Sequence, residues 1–320
     1  MNSPWTWTPS GACRLERPAG LMRLDGPDAL RVLHGQTSAG IEGAQPGSWI
    51  PTCCITATAR LRALAEVLVD GGGAWLLVGS GDPVLVHQAI DRVLFPADRV
   101  TLGPLLAVRW VTPLGERQEG RPLTAAGSWQ RCSEGETPGW RLGNTLVLPL
   151  DQPLPAELET RRALEPGEAE RWRIQQGLPA IPAELNDDHN PFELGLASRV
   201  GLSKGCYVGQ ETLAKLATYD GVKQQLRRWH WHCGDGGPAP DAGQDLFSAS
   251  QAGAGQEGRL GRITSVLELA DGDRIGLAMV RRAGLAQAQL RAGESPDAAR
   301  LHLTQPEQFV PPPVGAGGGG

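Results

Sequence analysis

The chain has 320 residues, 40% of them hydrophobic and 20% charged, with a formal net charge of −5. Gly and Pro together make about 22%, below the roughly 25–30% of low-complexity chains, and the apolar content suffices for a buried core. These figures exclude collagen, coiled coil and wholesale disorder, and length divided by about 150 suggests two domains or three small ones.

No stretch approaches the ~18–20 uninterrupted apolar residues of a membrane span. Met1 to Gly20 has no basic region followed by an apolar run, so a secretory signal is not expected, and a cytoplasmic location is. The mildly acidic balance and the absence of a basic tract argue against nucleic acid as a partner. The cations are almost all Arg, a usage that mostly reflects genome composition; the lysines are Lys204, Lys215 and Lys223. The six cysteines, Cys13, Cys53, Cys54, Cys132, Cys206 and Cys233, include no closely spaced pair of the zinc-ribbon or ferredoxin kind. Reduced thiols are expected.

In chain order, residues 1–20 read as an irregular arm with three prolines. Leu21–Leu24 is predicted as a short strand. A helix is predicted from Asp25-Gly26-Pro27, with Leu30, Leu33 and His34 at helical spacing and Gly35 as its end. Arg62–Val69 and Trp75–Val78 flank a Gly-rich turn as a hairpin. Asp82-Pro83 opens a helix carrying Val86, Ile90 and Val93. Strands are predicted over 99–102, 105–111 and 145–148, with 113–140 weakly patterned. Helices follow over 153–164 and 166–176, the second stopped by Gly177 and Pro179. Residues 178–203 are loop-rich, and a further helix runs from Tyr207 to about Tyr219. Alternation over 226–233, 258–269, 274–280 and 299–303 suits a small barrel, with a linker at 234–244. Residues 306–320 read as a disordered Pro/Gly tail.

The segment Ser203-Lys204-Gly205-Cys206-Tyr207-Val208-Gly209-Gln210-Glu211 carries the most chemistry. Its glycines permit tight turns and close approach. Cys206 is placed at the start of the predicted helix, where the helix terminus and Lys204 both favour thiolate over thiol. Gln210 and Glu211 are placed to cap first-turn N–H groups or to bind a ligand. The same pattern also fits a buried structural cysteine beside a Gly-rich turn.

Lys-Gly-Cys-Tyr-x-Gly-Gln-Glu resembles the signature of the YgfZ family of folate-binding proteins, relatives of the glycine-cleavage T-protein that assist iron–sulfur enzymes. Residues 24–36, 170–179, 191–196, 261–265 and 275–278 are similar to further stretches of that family, so the resemblance covers about 21–303. It implies an α+β, GcvT/YgfZ-like fold: a three-lobed folate-binding region over 21–223, built of two intertwined subdomains, then a small antiparallel β-barrel over 224–305. It implies tetrahydrofolate or a derivative as cofactor, held in a central opening against the helix that carries Trp172 and Gln175, with Gly205, Tyr207, Gly209, Gln210 and Glu211 shaping the site. Iron–sulfur client or assembly proteins are the implied partners. By residue pattern alone, Trp172 also fits a core aromatic on an amphipathic helix.

The chain departs from the T-protein pattern at informative places. Gln175 stands where a glutamate holds the pterin, and neutral hydrogen bonds are roughly half as strong as charged ones. Thr58–Leu64 lacks the carboxylate that aminomethyl transfer needs for proton transfer. Ala39-Gly40 stands where an acidic residue is usual.

Other candidates carry less. His230 and His232 share a strand face and could hold a metal, but outward polar residues on a barrel strand explain them, so no metal ligand is assigned. Adjacent Cys53 and Cys54 point apart on a strand. Asn186–His189 reads as a ligand loop, a metal site or a solvated turn. Arg199 is a candidate for the acidic tail of a folate. The glycines at 71–73 lack a following Lys-Ser/Thr, so they form no phosphate loop. The reading is therefore a folate-binding accessory factor acting through Cys206 as thiolate with Lys204 beside it. The alternative is a tetrahydrofolate-dependent one-carbon transferase or demethylase.

Overall fold

β1 (Cys13–Asp25) organises the first part of the chain. The computed structural model describes residues 3–115, 127–132, 139–249 and 258–315. From Gly20 on, β1 pairs with β4 (Gly73–Gly81), and from Cys13 to Leu21 it pairs with β6 (Leu106–Leu114). β4 continues through β3 (Leu61–Asp70) to β2 (Ser48–Ile55). From there the sheet runs through β7 (Gly127–Arg131), β8 (Trp140–Leu142) and β9 (Thr145–Pro149) back to β6. Because β6 also pairs with β1, the sheet closes on itself. The short β5 (Thr101–Leu102) and β10 (Arg162–Ala163) pair with the two ends of β1. α1 (Ala29–Gln36) and α2 (Pro83–Asp91) pack their apolar faces on β1, β3 and β4. Asp82 caps α2 by accepting the Val84 and Leu85 N–H groups.

Two expectations are corrected here. The arm is strand from Cys13 onward, Pro18 included. Between Leu15 and Ala19 the pairing of β1 is to β6 alone among the described residues, leaving an edge on which proline is tolerated. The helix expected over 153–164 is a single turn, α3 (Ala156–Glu159), since Arg162 and Ala163 pair in parallel with Cys13 and Arg14.

α4 (Pro166–Gln176) begins with proline in its first turn and a capping box between Glu165 and Glu168. It ends at Gly177, whose φ of 68° is the left-handed stop. α5 (Gln210–Thr218) leads into β11 (Gln224–Trp231). A second closed barrel follows in the order β11, β14 (Arg274–Arg281), β13 (Gly261–Glu268), β12 (Asp245–Ser248), β15 (Gln289–Ala292) and β16 (Arg300–Thr304). One apolar cluster joins all the parts: Leu61 and Leu64 of β3, Ile174 of α4, Phe192, Tyr207, Leu213 of α5, and Ile275 and Leu277 of β14.

Residues 306–310 do not form the expected tail. Phe309 is buried against Gly195, where a Cβ would lie 2.2 Å from its ring, and Val310 N–H donates to the Gly195 carbonyl at 2.8 Å. Apolar Phe309 supplies the burial that the surrounding prolines conceal in composition. Residues 316–320 of that expected tail lie outside the described residues.

Candidate functional site

The 203–211 segment docks on the C-terminal end of α1. Lys204 Nζ donates to the carbonyls of Thr37 (2.7 Å), Ala39 (2.6 Å) and His34. These include acceptors at the end of a helix, where a cation is favoured. His34 returns the contact. Its Nδ1 accepts from the N–H groups of Glu42 (2.9 Å) and Ile41 (3.2 Å), which puts the ring proton on Nε2, facing the Lys204 carbonyl at 2.5 Å. Burial pulls the Lys204 ammonium down to about 7, and the three carbonyls oppose that pull. Its charge also stands 4.3 Å from the centre of the Tyr207 ring. Lys204→Met is expected to cost about 2 kcal/mol of stability through the lost charged hydrogen bonds. Thermal denaturation checks it, and an unchanged melting point would contradict the anchoring role.

Cys206 lies elsewhere than expected. α5 begins at Gln210 with Gly209 as its N-cap, so Cys206 precedes the helix by a stretch of loop and does not sit at its terminus. The reason is local: Gly205 (φ 93°) and Gly209 (φ 80°) both take left-handed conformations that break any helix between them. At Gly209 a Cβ would also stand 2.7 Å from the Thr56 carbonyl in the β2–β3 turn. Cys206 is exposed as a free thiol, while Lys204 directs its ammonium at the end of α1. Tyr207 is buried in the joint apolar cluster, and burial pushes its hydroxyl up to about 12. Its Oη has no hydrogen-bond partner among the described residues. Gln210 donates to the Leu202 carbonyl at 3.4 Å, and Glu211 forms an exposed ion pair with Lys215 at 2.6 Å.

α4 presents Arg171 and Gln175 one turn apart on one face. Residues 5–7 of the arm cover that face, which sequence reasoning missed. The Arg171 guanidinium stacks 5.0 Å from the Trp7 ring centre, and Arg228 of β11 stacks 4.6 Å from that of Trp5. Gln175 Nε2 donates to the Trp7 carbonyl at 3.1 Å, and the Gln175 carbonyl accepts from Arg228 at 2.7 Å. Gln175 Oε1, Arg171 Nε and Arg228 Nε are buried without a partner among the described residues. On the neighbouring face, which bears half-buried Trp172 and Gln176, Gln308 donates to Gln176 at 2.8 Å. Pro306 packs against Gly177. Where these parts meet, Leu64, Leu178, Leu196, Arg199 and Phe309 line a cavity of about 20 Å³, room for little more than one water.

Arg199 is not placed as a receptor for a ligand's acid. It is buried and bonded to Glu66 at 2.9 Å, to the carbonyls of Thr52 and Ala65, and through Glu66 to Trp49. The sequence signal for this network is a single carboxylate inside the apolar run Ala63–Val69. Around Thr58–Leu64 the structure adds one carboxylate and one backbone carbonyl from the 186–189 turn. Asp187 sits 3.6 Å from Arg62, and the Asp188 carbonyl accepts from Arg60. The Asn186 side chain accepts the Asp188 N–H at 3.1 Å, so this stretch is a turn, with 186–188 exposed. Cys53 and Cys54 point into different apolar clusters, and burial pushes their thiols up to about 11 and about 12.

The paired barrels around α4 and the loop before α5 give the chain a GcvT-like fold. The crystal structure of glycine cleavage system aminomethyltransferase T from Bartonella henselae superposes with a TM-score of 0.67 over 97% of this chain and 89% of that one, at 16% identity. Two proteins named tRNA-modifying protein YgfZ are similar in sequence. The Klebsiella pneumoniae protein is 27% identical over 74% of this chain and 78% of its own. The Yersinia pseudotuberculosis protein is 24% identical over 79% of each. A chloroplastic Arabidopsis thaliana protein named as a transferase is 29% identical over 65% of this chain, a match that spans about half of that protein, 53%. No protein-family model matches. In sequence the chain is similar to YgfZ proteins, and in fold to a GcvT aminomethyltransferase. Among the described residues no helix is long and apolar enough to cross a membrane.

Proposed function

We propose that this chain is a cytoplasmic folate-binding accessory factor that supports assembly or repair of iron–sulfur enzymes, with the thiol of Cys206 as its point of contact with clients. The observation that carries the folate part is the pair of buried, unpartnered polar atoms, Gln175 Oε1 and Tyr207 Oη, on the two elements to which the family resemblance assigns the ligand. Buried polar atoms call for partners. A reduced pterin offers N–H donors and carbonyl acceptors that match an amide and a hydroxyl. Trp172 would supply an aromatic contact. Lys204, Gly205 and Gly209 would position the loop, with Gln210 and Glu211 at its end.

Support for the Cys206 role is its exposure in a loop otherwise pinned at Lys204, Tyr207 and Gly209. A single cysteine is too few ligands to hold a cluster, which takes four, so transient contact is the role that fits. The tRNA-modifying name belongs to the relatives. The net charge of −5 favours service to an enzyme over direct contact with tRNA.

The second reading, one-carbon transfer on tetrahydrofolate, is favoured by the fold of the aminomethyltransferase neighbour. Asp187, the carboxylate paired with Arg62 of the Thr58–Leu64 stretch, is exposed, a poor environment for a tuned proton-transfer group.

Complementation tests the proposal. In bacteria lacking their own family member, the wild-type chain is expected to restore iron–sulfur enzyme activity, and Cys206→Ser at equal protein level is not. Rescue by both would remove the thiol from the mechanism. Failure of well-folded wild type would count against the assembly role.

A further inference from the structure

The end of β11 and the β13–β14 turn bring together a donor set that alternation alone did not reveal. His230 and His232 project to one face, as residues two apart on a strand do. Beyond His232 the chain turns through Cys233–Asp235, next to Asp271–Asp273. The buried Asp273 accepts on both oxygens, from His230 Nε2 at 2.9 Å on one and from His232 Nδ1 at 2.6 Å on the other. The Cys233 N–H also reaches it, at 3.1 Å. The Cys233 thiol is exposed and lies 3.6 Å from the Asp271 carbonyl in the same turn. Donor atoms of His232, Cys233 and Asp273 all stand within 4.8 Å of one another.

Hydrogen bonding between imidazole and carboxylate accounts for two of these groups but gives no reason for the thiol beside them. A tetrahedral ion with bonds of about 2.0–2.3 Å places its ligand atoms about 3.3–3.8 Å apart, so the three donors need only small shifts to share one. His230, bonded to the second carboxylate oxygen, holds Asp273 in place as an outer partner does in metal sites.

We propose that His232, Cys233 and Asp273 bind a divalent transition-metal ion of the zinc class, with water as fourth ligand and His230 as positioning residue. Sulfur and imidazole donors select zinc or cobalt over magnesium or calcium. Binding breaks the His232–Asp273 hydrogen bond, leaves the His232 ring proton on its non-ligating nitrogen, and converts the Cys233 thiol to thiolate with release of its proton to solvent. This proposal is independent of the folate reading.

Cobalt(II) is the probe. Added to the full-length, reduced, chelator-stripped protein, it is expected to give saturable near-ultraviolet thiolate-to-metal absorbance at a single ion per chain, displaced by zinc. Cys206→Ser should retain the band and Cys233→Ser should lose it. His230→Gln should weaken affinity about 10- to 100-fold, with circular dichroism confirming that each variant is folded. No saturable band in the wild type, or a band that survives in Cys233→Ser, would overturn the proposal.

Discussion

Replacing Arg199 by leucine is expected to cost about 3–5 kcal/mol of stability, read as a lowered urea midpoint at unchanged slope. The loss follows from what the guanidinium leaves behind. Glu66 is buried in β3, and burial pushes its carboxyl up while Arg199 and the Trp49 indole N–H pull it back. Arg17 is a second buried cation nearby, drawn down to about 10 by burial and supported by Glu66. Without Arg199 the carboxylate keeps Trp49 and Arg17, and its pKa rises further. A carboxyl whose folded pKa exceeds its unfolded one binds more protons when folded, so stability falls as pH rises through that window. The Arg199→Leu deficit should therefore be smaller near about pH 4 than near about pH 7. Adding Glu66→Leu should recover part of the loss, because it removes the buried carboxylate that Arg199 leaves unpaired, while Arg17 and the Trp49 N–H lose their partner. A double variant as unstable as the single one would contradict this account.

Removing residues 1–9 is expected to raise affinity for a reduced folate about tenfold or more. The arm occupies the α4 face that the proposed ligand needs: Trp7 takes the Gln175 amide proton, and the two tryptophans lie against Arg171 and Arg228. Two cation–π contacts at about 0.5–1 kcal/mol each and one hydrogen bond at about 0.5–1.5 kcal/mol give roughly 2 kcal/mol to be displaced. A ligand competing with that contact loses affinity by the fraction of molecules with the face open. The truncation starts before β1, so the sheet keeps its pairing partners. Equilibrium dialysis against 5-formyltetrahydrofolate compares the two chains. Equal affinity would mean that the arm does not cover the site.

Local chemistry made some elements legible. α4 was readable to the residue because its proline start and glycine stop lie within the helix's own sequence. The Asp82 cap of α2 and the Gly-rich hairpin after Asp70 are of the same kind. What failed depends on distant partners. β1 extends through Pro18 because β6 pairs with it, and 162–163 leaves the helix because β1 accepts it as a parallel strand. Phe309 folds back because Gly195 leaves room for its ring. At the candidate site the motif marked the right loop. It could not show that Lys204 reaches three carbonyls of α1 and its following turn, or that Trp7 of the arm bonds to Gln175 and stacks on Arg171. Nor could it show that Asp273 gathers both histidines of β11 and its end.

Anaerobic calorimetric titration of tetrahydrofolate into the full chain and into Gln175→Leu is the most direct test of the central claim. Leucine keeps the volume of Gln175 but removes the unpartnered oxygen and the amide donor together. The expected result is saturable binding to the wild type that is retained by Cys206→Ser and lost by Gln175→Leu. Equal binding by Gln175→Leu, or no binding by either the full chain or the arm-deleted chain, would contradict the assignment of a folate to this site.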